Sequence, residues 1–263
     1  MKNQIRLTNV GSRSRRFAAA LAGLLLLANA ASSLAEEPEV LPPSSLPYGY
    51  SYEEWSAKFW QWTLGQSADH LESLGDPGIC SGPASRVRFM GPSTIGGDVV
   101  HVGTNRVTVP AGTPLFFSVY SLWQDNGNCP LSAFTTFTAA QLAAFDQQSW
   151  SAVTLTSFTI DGIAVDGMEN PTNSVFNVVS PPFSYTTAEK DNILAVELGA
   201  TCLPGDFTIY PAVAEGLYVM LAPLSPGKHV IHSLAVIGPL SAPLAENEET
   251  IDITVSDDRC DGR

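Results

Sequence analysis

The sequence predicts a mainly β protein, a β-sandwich of immunoglobulin or jelly-roll type with one or two short helices. Three observations predict this class. About ten short runs of β-branched and aromatic residues are separated by turns rich in Gly and Pro. Only two segments show helical periodicity, and no internal repeat is visible. Roughly 225 residues follow an N-terminal leader, which fits one all-β domain.

Residues 1–35 predict a secretory signal peptide. They contain five basic residues and no acidic one, followed by the apolar run FAAALAGLLLLANA, which is too short to span a membrane. Cleavage after Ala30 or after Ala35 fits equally well. Residues 36–50 hold four prolines without periodicity and predict an exposed linker. A single β-rich domain is expected at 51–263, secreted or periplasmic, with no transmembrane segment.

The stretch SYEEWSAKFWQW, residues 51–62, predicts the first helix and contains three of the five tryptophans. Ser51 and Glu54 have the spacing of a capping box. On a helical wheel Tyr52, Trp55, Phe59 and Trp62 form one stripe, which we expect to pack on the sandwich. Trp60 lies off this stripe. It is therefore the candidate ligand-binding residue, for a sugar ring or a partner protein, unless the Pro-rich segment folds back over it.

A second helix is predicted at 139–150, with Thr138 and Gln141 as its capping box. Elsewhere the runs favour strands. Pro226 and Gly227 suit the centre of a tight turn, so 217–237 is expected to form a β-hairpin. The predicted strands are 86–90, 98–102, 106–109, 114–120, 152–160, 175–179, 193–198, 207–210, 217–221, 229–237 and 250–255.

Four sequence features together resemble a widespread group of exported bacterial β-sandwich proteins that has no assigned activity. These features are FWQW near the start, VPAG-x-PLFF at 109–117, IDG at 160–162 and GLYVMLAPLSPGKHVIH at 216–232. The resemblance spans most of the mature chain and implies the fold and export. Because its motifs are strand and turn features, it transfers no catalytic residue.

Charge excludes some partners. The leader carries five of the thirteen basic residues and none of the 26 acidic ones, so the remainder has a net charge near −18. A chain this acidic repels phosphate backbones, and we expect no nucleic-acid partner.

The four cysteines all lie beyond the leader, and an even number in an exported chain predicts two disulfides. Three pairings are open, of which we favour Cys80–Cys129 and Cys202–Cys260.

Signatures of common enzyme families are absent from the sequence. It contains no G-x-S-x-G, H-E-x-x-H, P-loop or G-x-G-x-x-G. His229 and His232 are three residues apart in a predicted strand, so their side chains face opposite sides and one should form hydrogen bonds inside the protein. A site shared by His101 and His232 lacks support. No catalytic residue is assigned, and the enzyme question stays open with a negative answer favoured.

The loop WQDNGNC, residues 123–129, is rich in side-chain oxygens. Asp125 and Asn128 are therefore candidate calcium ligands, although the same residue types also simply form turns.

The leading hypothesis is an exported, disulfide-containing, non-catalytic protein that binds a glycan or envelope protein, or has an adhesive role. One alternative is a secreted hydrolase or lyase acting on a polysaccharide through Asp125, His101, His232 and Trp60. The other is a calcium-stabilised structural protein.

Overall fold

A computed structural model describes residues 38–68, 87–90, 100–127 and 136–259 of the chain, with only the backbone at 100 and 257–259. Within these residues, eleven strands form two sheets, and three α-helices accompany them. The predicted mainly β, sandwich-like class is confirmed. The helices are α1 (Tyr52–Leu64), α2 (Ala139–Trp150) and α3 (Ile193–Glu197). The strands are β1 (Val40–Leu41), β2 (Arg88–Met90), β3 (Val100–Ala111), β4 (Leu115–Asp125), β5 (Val153–Ile160), β6 (Ile163–Ala164), β7 (Asn177–Val179), β8 (Phe183–Thr186), β9 (Thr208–Leu221), β10 (Gly227–Ile237) and β11 (Ala245–Arg259).

The first sheet is organised around β9. Its order is β1–β9–β4–β2, and β7 and β8 pair with further stretches of β9. Strands β1, β4, β7 and β8 pair antiparallel with β9, and β2 pairs in parallel with β4. From Ala212 to Leu221 every residue of β9 is buried. A continuous buried run of this kind means that both faces of the strand are covered.

The second sheet has the order β3–β11–β10–β5–β6. Neighbours are antiparallel except β3, which runs parallel to β11. The turn between β5 and β6 has Asp161 at φ 53° and Gly162 at φ 80°, the positive φ angles that a two-residue hairpin turn requires. The rings of Phe117 on β4 and Phe158 on β5 meet at 5.4 Å. These two strands therefore face one another across the core.

Helix α1 covers the opposite face of the first sheet. Phe116 neighbours Phe117 in β4 and so faces away from the second sheet, towards the rings of Tyr52 and Phe59 on α1. The predicted capping box is present, with the Ser51 hydroxyl accepting from the Glu54 N–H and the Glu54 carboxylate accepting from the Ser51 N–H. Tyr52, Trp55 and Phe59 are buried, and Trp62 is half-buried against the core, as the aromatic stripe predicts.

Helix α2 has the predicted bounds and the predicted capping box of Thr138 and Gln141. It packs on β9 and β4. Trp150, at its end, stacks on Tyr120 of β4 with ring centroids 6.0 Å apart. Among the helices of the described residues, none is long and apolar enough to cross a membrane.

Three strand predictions differ from the structure. Residues 193–197 form α3 instead of a strand, because the Asn192 side chain caps a helical turn by accepting from the Ala195 N–H. Residues 100–102 of the predicted strand at 98–102 and the predicted strand at 106–109 belong to one strand, β3, since Gly103 to Asn105 continue the pairing with β11; residues 98–99 lie outside the described residues. The runs at 207–210 and 217–221 likewise merge into β9. Pairing with a neighbour keeps these residues extended even where their types favour a turn.

The predicted hairpin at 217–237 is wrong. Strand β9 ends at Leu221 in the first sheet, and β10 begins at Gly227 in the second. The segment with Pro226 therefore crosses between the sheets. Many of the residues at 38–50, predicted as an exposed linker, are exposed, but the segment also pairs with the domain. Strand β1 pairs with β9, and the main-chain oxygens of Leu41 and Pro47 accept hydrogen bonds from Tyr52 and Trp55. This Pro-rich segment is thus part of the compact unit at 36–263.

Candidate functional site

Trp60 is a core residue, and the prediction that it offers a ring to a ligand is not supported. Only 2% of its surface is exposed. Its indole N–H donates to the Tyr218 hydroxyl at 2.9 Å, and its ring lies 4.6 Å from that of Trp123. The helical wheel places Trp60 off the stripe, but α1 also contacts β8, so more than one side of the helix is covered. No face of the ring remains for a sugar to stack on.

Asp125, the first predicted calcium ligand, lies at the end of β4 and already has protein partners. One oxygen of its carboxylate accepts from the Tyr185 hydroxyl at 2.6 Å and from the Trp123 indole at 3.0 Å. The other oxygen accepts from the Gly127 N–H at 2.6 Å. Burial and the charge of Asp125 raise the pKa of Tyr185 above its usual value, so Tyr185 keeps its proton and donates. Asn128 lies outside the described residues.

His229 is the inward-facing histidine, as predicted, and it forms hydrogen bonds inside the protein. Its Nδ1 lies 2.7 Å from a carboxylate oxygen of Asp161, and its Nε2 lies 2.8 Å from the main-chain oxygen of Ser225. The Ser225 hydroxyl is 3.5 Å from the same Nε2. The structure thus brings together a serine, a histidine and an aspartate that the sequence does not connect.

The direction of the hydrogen bonds decides what this group can do. A main-chain oxygen only accepts, so Nε2 must carry a proton to bond to Ser225. A protonated Nε2 cannot take a proton from the Ser225 hydroxyl, as nucleophilic catalysis would need. Asp161 meanwhile accepts from the Val230 N–H at 2.8 Å. The three residues therefore tie the turn before β10 to the turn after β5.

The other residues of the enzyme alternative do not meet. His232 pairs with Glu248 at 2.7 Å on the outer side of the second sheet. His101 lies level with Asn247 and Ala235 in the paired strands. Because Ala235 is three residues from His232 and side chains alternate along a strand, His101 faces the inner side of that sheet. Within the described residues, no group of three or more His, Cys, Asp or Glu is arranged to hold a metal ion. Cys202 is disulfide-bonded, and the other three cysteines lie outside the described residues, so the pairing stays a prediction.

The outer side of the second sheet has exposed residues at the end of β10 that holds Lys228 and Val230. We call it the open face, defined by two rows of paired residues from β10, β11 and β3. Arg106 has 84% of its side chain exposed and approaches Asp252 at 3.5 Å, and Val230 is 43% exposed. A groove of about 520 Å³ runs along these rows. The rows are Lys228, Thr254 and Thr108, and Val230, Asp252 and Arg106.

A second polar group lies buried beneath α2. Asp146 on α2 has no exposed surface, and Glu215 on β9 is 5% exposed. Burial, and then the charges of Glu215 and Asp125, raise the pKa of the Asp146 carboxyl to about 8. The sequence contains a signal for Asp146, because Leu142, Asp146 and Trp150 recur at intervals of four and form the buried stripe of α2. Glu215 is likewise the charged residue of an otherwise apolar strand segment.

No family model and no curated protein matches this chain. Among solved structures, PbICP-C in complex with falcipain-2 is 15% identical, with a TM-score of 0.27, over 64% of this chain and 98% of that one. Amebosin is 8% identical with a TM-score of 0.18, over 59% and 97%. The cysteine protease inhibitor EhICP2 from Entamoeba histolytica is 12% identical with a TM-score of 0.17, over 59% and 95%. Likenesses at these TM-scores carry no argument about fold or function.

Proposed function

We propose that the protein is an exported, disulfide-containing binding protein without catalytic activity, and that it binds its ligand on the open face of the second sheet. This proposal is based on the observation that the two sheets differ in how many of their faces are buried. The first sheet is packed on both faces, whereas the second leaves the groove along Arg106 and Lys228 exposed. A surface that a stable fold has no need to bury is available for a partner.

The chemistry of the groove favours a ligand with scattered carboxylates and many hydroxyls. Arg106 and Lys228 are two of only eight basic residues beyond the leader. A guanidinium binds a carboxylate through paired hydrogen bonds, and the threonine hydroxyls at 108 and 254 both donate and accept. The net charge near −18 disfavours a dense polyanion. An acidic glycan, such as a chain of uronic acids, satisfies both conditions.

The enzyme alternative has weaker support. Its candidate residues lie apart, since Trp60 is in the core, Asp125 is bonded at the end of β4, and His232 pairs with Glu248 on the surface. The Ser225, His229 and Asp161 group has a hydrogen-bond pattern that opposes nucleophilic catalysis. These candidate residues therefore do not form the cluster of catalytic groups that a hydrolase or lyase needs.

A glycan array that includes uronic-acid oligomers, followed by calorimetric titration with an oligogalacturonate, tests the proposed ligand class. We expect retention of uronic-acid glycans by the wild type. The double variant Arg106→Ala with Lys228→Ala should bind about tenfold more weakly or worse, because a hydrogen bond to a charged group is worth about 1.5–3 kcal/mol.

Lys190→Ala is the matched control, since Lys190 is an exposed cation outside the open face. It should bind like the wild type, and all variants should melt at the same temperature. The proposed ligand is ruled out if no glycan on the array is retained, or if the double variant binds as well as the wild type. Capture of a protein from an envelope extract, lost in the double variant, would instead identify a protein partner.

Export rests on the leader and on the disulfide at Cys202. We expect the expressed protein in the periplasm or medium, with an N-terminus that starts after Ala30 or Ala35. Cell fractionation with N-terminal sequencing measures this. An uncleaved protein in the cytoplasm would contradict it.

A further inference from the structure

The buried polar group beneath α2 contains acceptor oxygens that no protein donor satisfies. Both oxygens of the Asp146 carboxylate, one oxygen of Glu215 and the side-chain oxygen of Asn177 are buried without a hydrogen-bond partner. The indole N–H of Trp150 is an unpartnered donor in the same region. One N–H can serve few of these four oxygens. Unmet acceptors of this kind are rare in protein interiors and call for an explanation.

The four side chains come from three elements that meet at one place. Asn177 on β7 pairs with Leu217, two residues along β9 from Glu215, and the Asn177 amide donates to Glu215 at 3.4 Å. Asp146 and Trp150 are one helical turn apart on the buried stripe of α2. Trp150 stacks on Tyr120, which is the cross-strand partner of the same Leu217. Asp146 and Glu215 both lie buried where α2 packs on β9.

Within the described parts of the chain, no cationic side chain pairs with either buried carboxyl group. The ion pairs of the described residues join Arg106 with Asp252, His229 with Asp161 and His232 with Glu248, and none involves Asp146 or Glu215. A buried carboxylate that lacks a partner is costly, and proteins avoid that cost by keeping the proton, by pairing the charge or by binding a metal. Two carboxylates and one amide oxygen are ligands of the type that calcium takes.

We propose that Asp146, Glu215 and Asn177 form a calcium-binding site that joins α2 to β7 and β9. The site differs from the predicted one at Asp125 and Asn128, because the oxygens of Asp125 already accept from Tyr185, Trp123 and Gly127. Calcium here compensates two buried charges and stabilises the packing of α2 on the first sheet. Extracellular calcium modules have dissociation constants of about 10⁻⁴–10⁻³ M, and an exported protein meets calcium in that range.

Calcium titration of the chelator-treated full chain, followed by calorimetry and thermal melting, tests the site. We expect heat of binding and a melting temperature that rises by about 5–10 °C when free calcium exceeds the dissociation constant about 100-fold. Fluorescence of Trp150, which stacks on Tyr120 beside the site, should change in the same range of calcium. Magnesium should produce a smaller rise, since it demands a stricter octahedral shell.

Asp146→Asn and Glu215→Gln are the decisive variants. Each replaces a buried carboxyl group by an uncharged amide of nearly the same shape, so each should melt no lower than the chelator-treated wild type and should lose the calcium response. Glu169→Gln, which removes an exposed carboxylate, should keep the wild-type response. If either buried variant fails to fold, the calcium response of the wild type and the response of the other variant still decide the proposal.

Two outcomes would overturn the site. No heat and no change in melting temperature even at about 100 mM calcium, about 100-fold above the weakest expected dissociation constant, together with an Asp146→Asn variant as stable as the wild type at pH 7, would mean that the carboxyl is held as a neutral acid. A calcium response that survives in both buried variants would place the ion elsewhere in the chain. Neither outcome bears on glycan binding by the open face, which is measured with different variants.

Discussion

The two sheets of this protein differ in how many of their faces are covered. The last ten residues of β9 in the first sheet are all buried, between α1 on one side and the second sheet and α2 on the other. Along β10 in the second sheet, buried and exposed residues largely alternate. The first sheet therefore contributes buried surface on both of its faces, whereas the second leaves part of one face exposed.

The largest effect should come from opening the aromatic packing between α1 and the first sheet. Phe116 stacks on Tyr218 at 5.4 Å and contacts Tyr52 and Phe59. Phe116→Ala should lower the free energy of unfolding by about 3–5 kcal/mol, the usual cost of removing a buried ring. Urea denaturation measures this. Val230→Ala on the open face should cost less than about 1 kcal/mol, and equal losses at the two sites would contradict the comparison.

The free energy of unfolding of the calcium-free protein should depend on pH because of the buried carboxyl group of Asp146, which lies on the helix packed against the first sheet. The pKa of Asp146 is raised to about 8 from 3.8, so between about pH 4 and 8 the folded state holds a proton that the unfolded state has lost. Stability should therefore fall as the pH rises from 5 to 8, by at most about 4 kcal/mol at 1.36 kcal/mol per pH unit. The charges of Glu215 and Asp125 act in the same direction.

Urea denaturation at several pH values, with chelator present, measures this dependence. Asp146→Asn should flatten it. Asp252→Asn, which changes a carboxylate on the open face, should keep the wild-type slope. A wild-type protein that gains stability between pH 5 and 8 would show that the buried carboxyl is not the dominant group.

A smaller effect should follow from Trp60→Phe. The change keeps a ring in the core but removes the indole N–H that bonds to Tyr218, which should cost about 1–2 kcal/mol. Thermal melting measures the loss. Glycan binding should be unchanged, because Trp60 on α1 is buried against the first sheet and does not belong to the open face. Weaker glycan binding by a normally folded variant would show that Trp60 contributes to glycan binding.

The smallest effect on stability should come from Arg106→Ala. The Arg106 side chain is largely exposed and its contact with Asp252 is long, so the free energy of unfolding should change by less than about 0.5 kcal/mol. The same change should weaken glycan binding. A loss of stability above about 1 kcal/mol would mean that the open face is part of the structural core.

Local signals in the sequence predicted local structure well. The capping boxes at Ser51 and Thr138 place both long helices, because a cap needs only residues three positions apart. The opposite orientations of His229 and His232 also follow from strand geometry alone. The prediction at 193–198 failed for the same reason that the caps succeeded. A short apolar run is compatible with a strand or a helix, and there the Asn192 cap decides for the helix.

Features that depend on distant partners were not predictable. Trp60 is buried because α1 packs beside β8 and opposite Trp123, both remote in sequence. Asp146 could have been identified from the buried stripe of α2, but its proximity to Glu215 and Asn177 depends on how α2 meets β7 and β9.

By itself, the sequence determined the mainly β class and the two capped helices, because composition, periodicity and caps act over a few residues; export stays a prediction. Only the tertiary structure decided that the strands flanking Pro226 belong to different sheets, that one sheet has an open face, and that α2 and β9 each bury a carboxyl group. These outcomes depend on which surfaces exclude water from one another. That choice is made by contacts between segments more than 30 residues apart, such as α2 and β9, which no local pattern encodes.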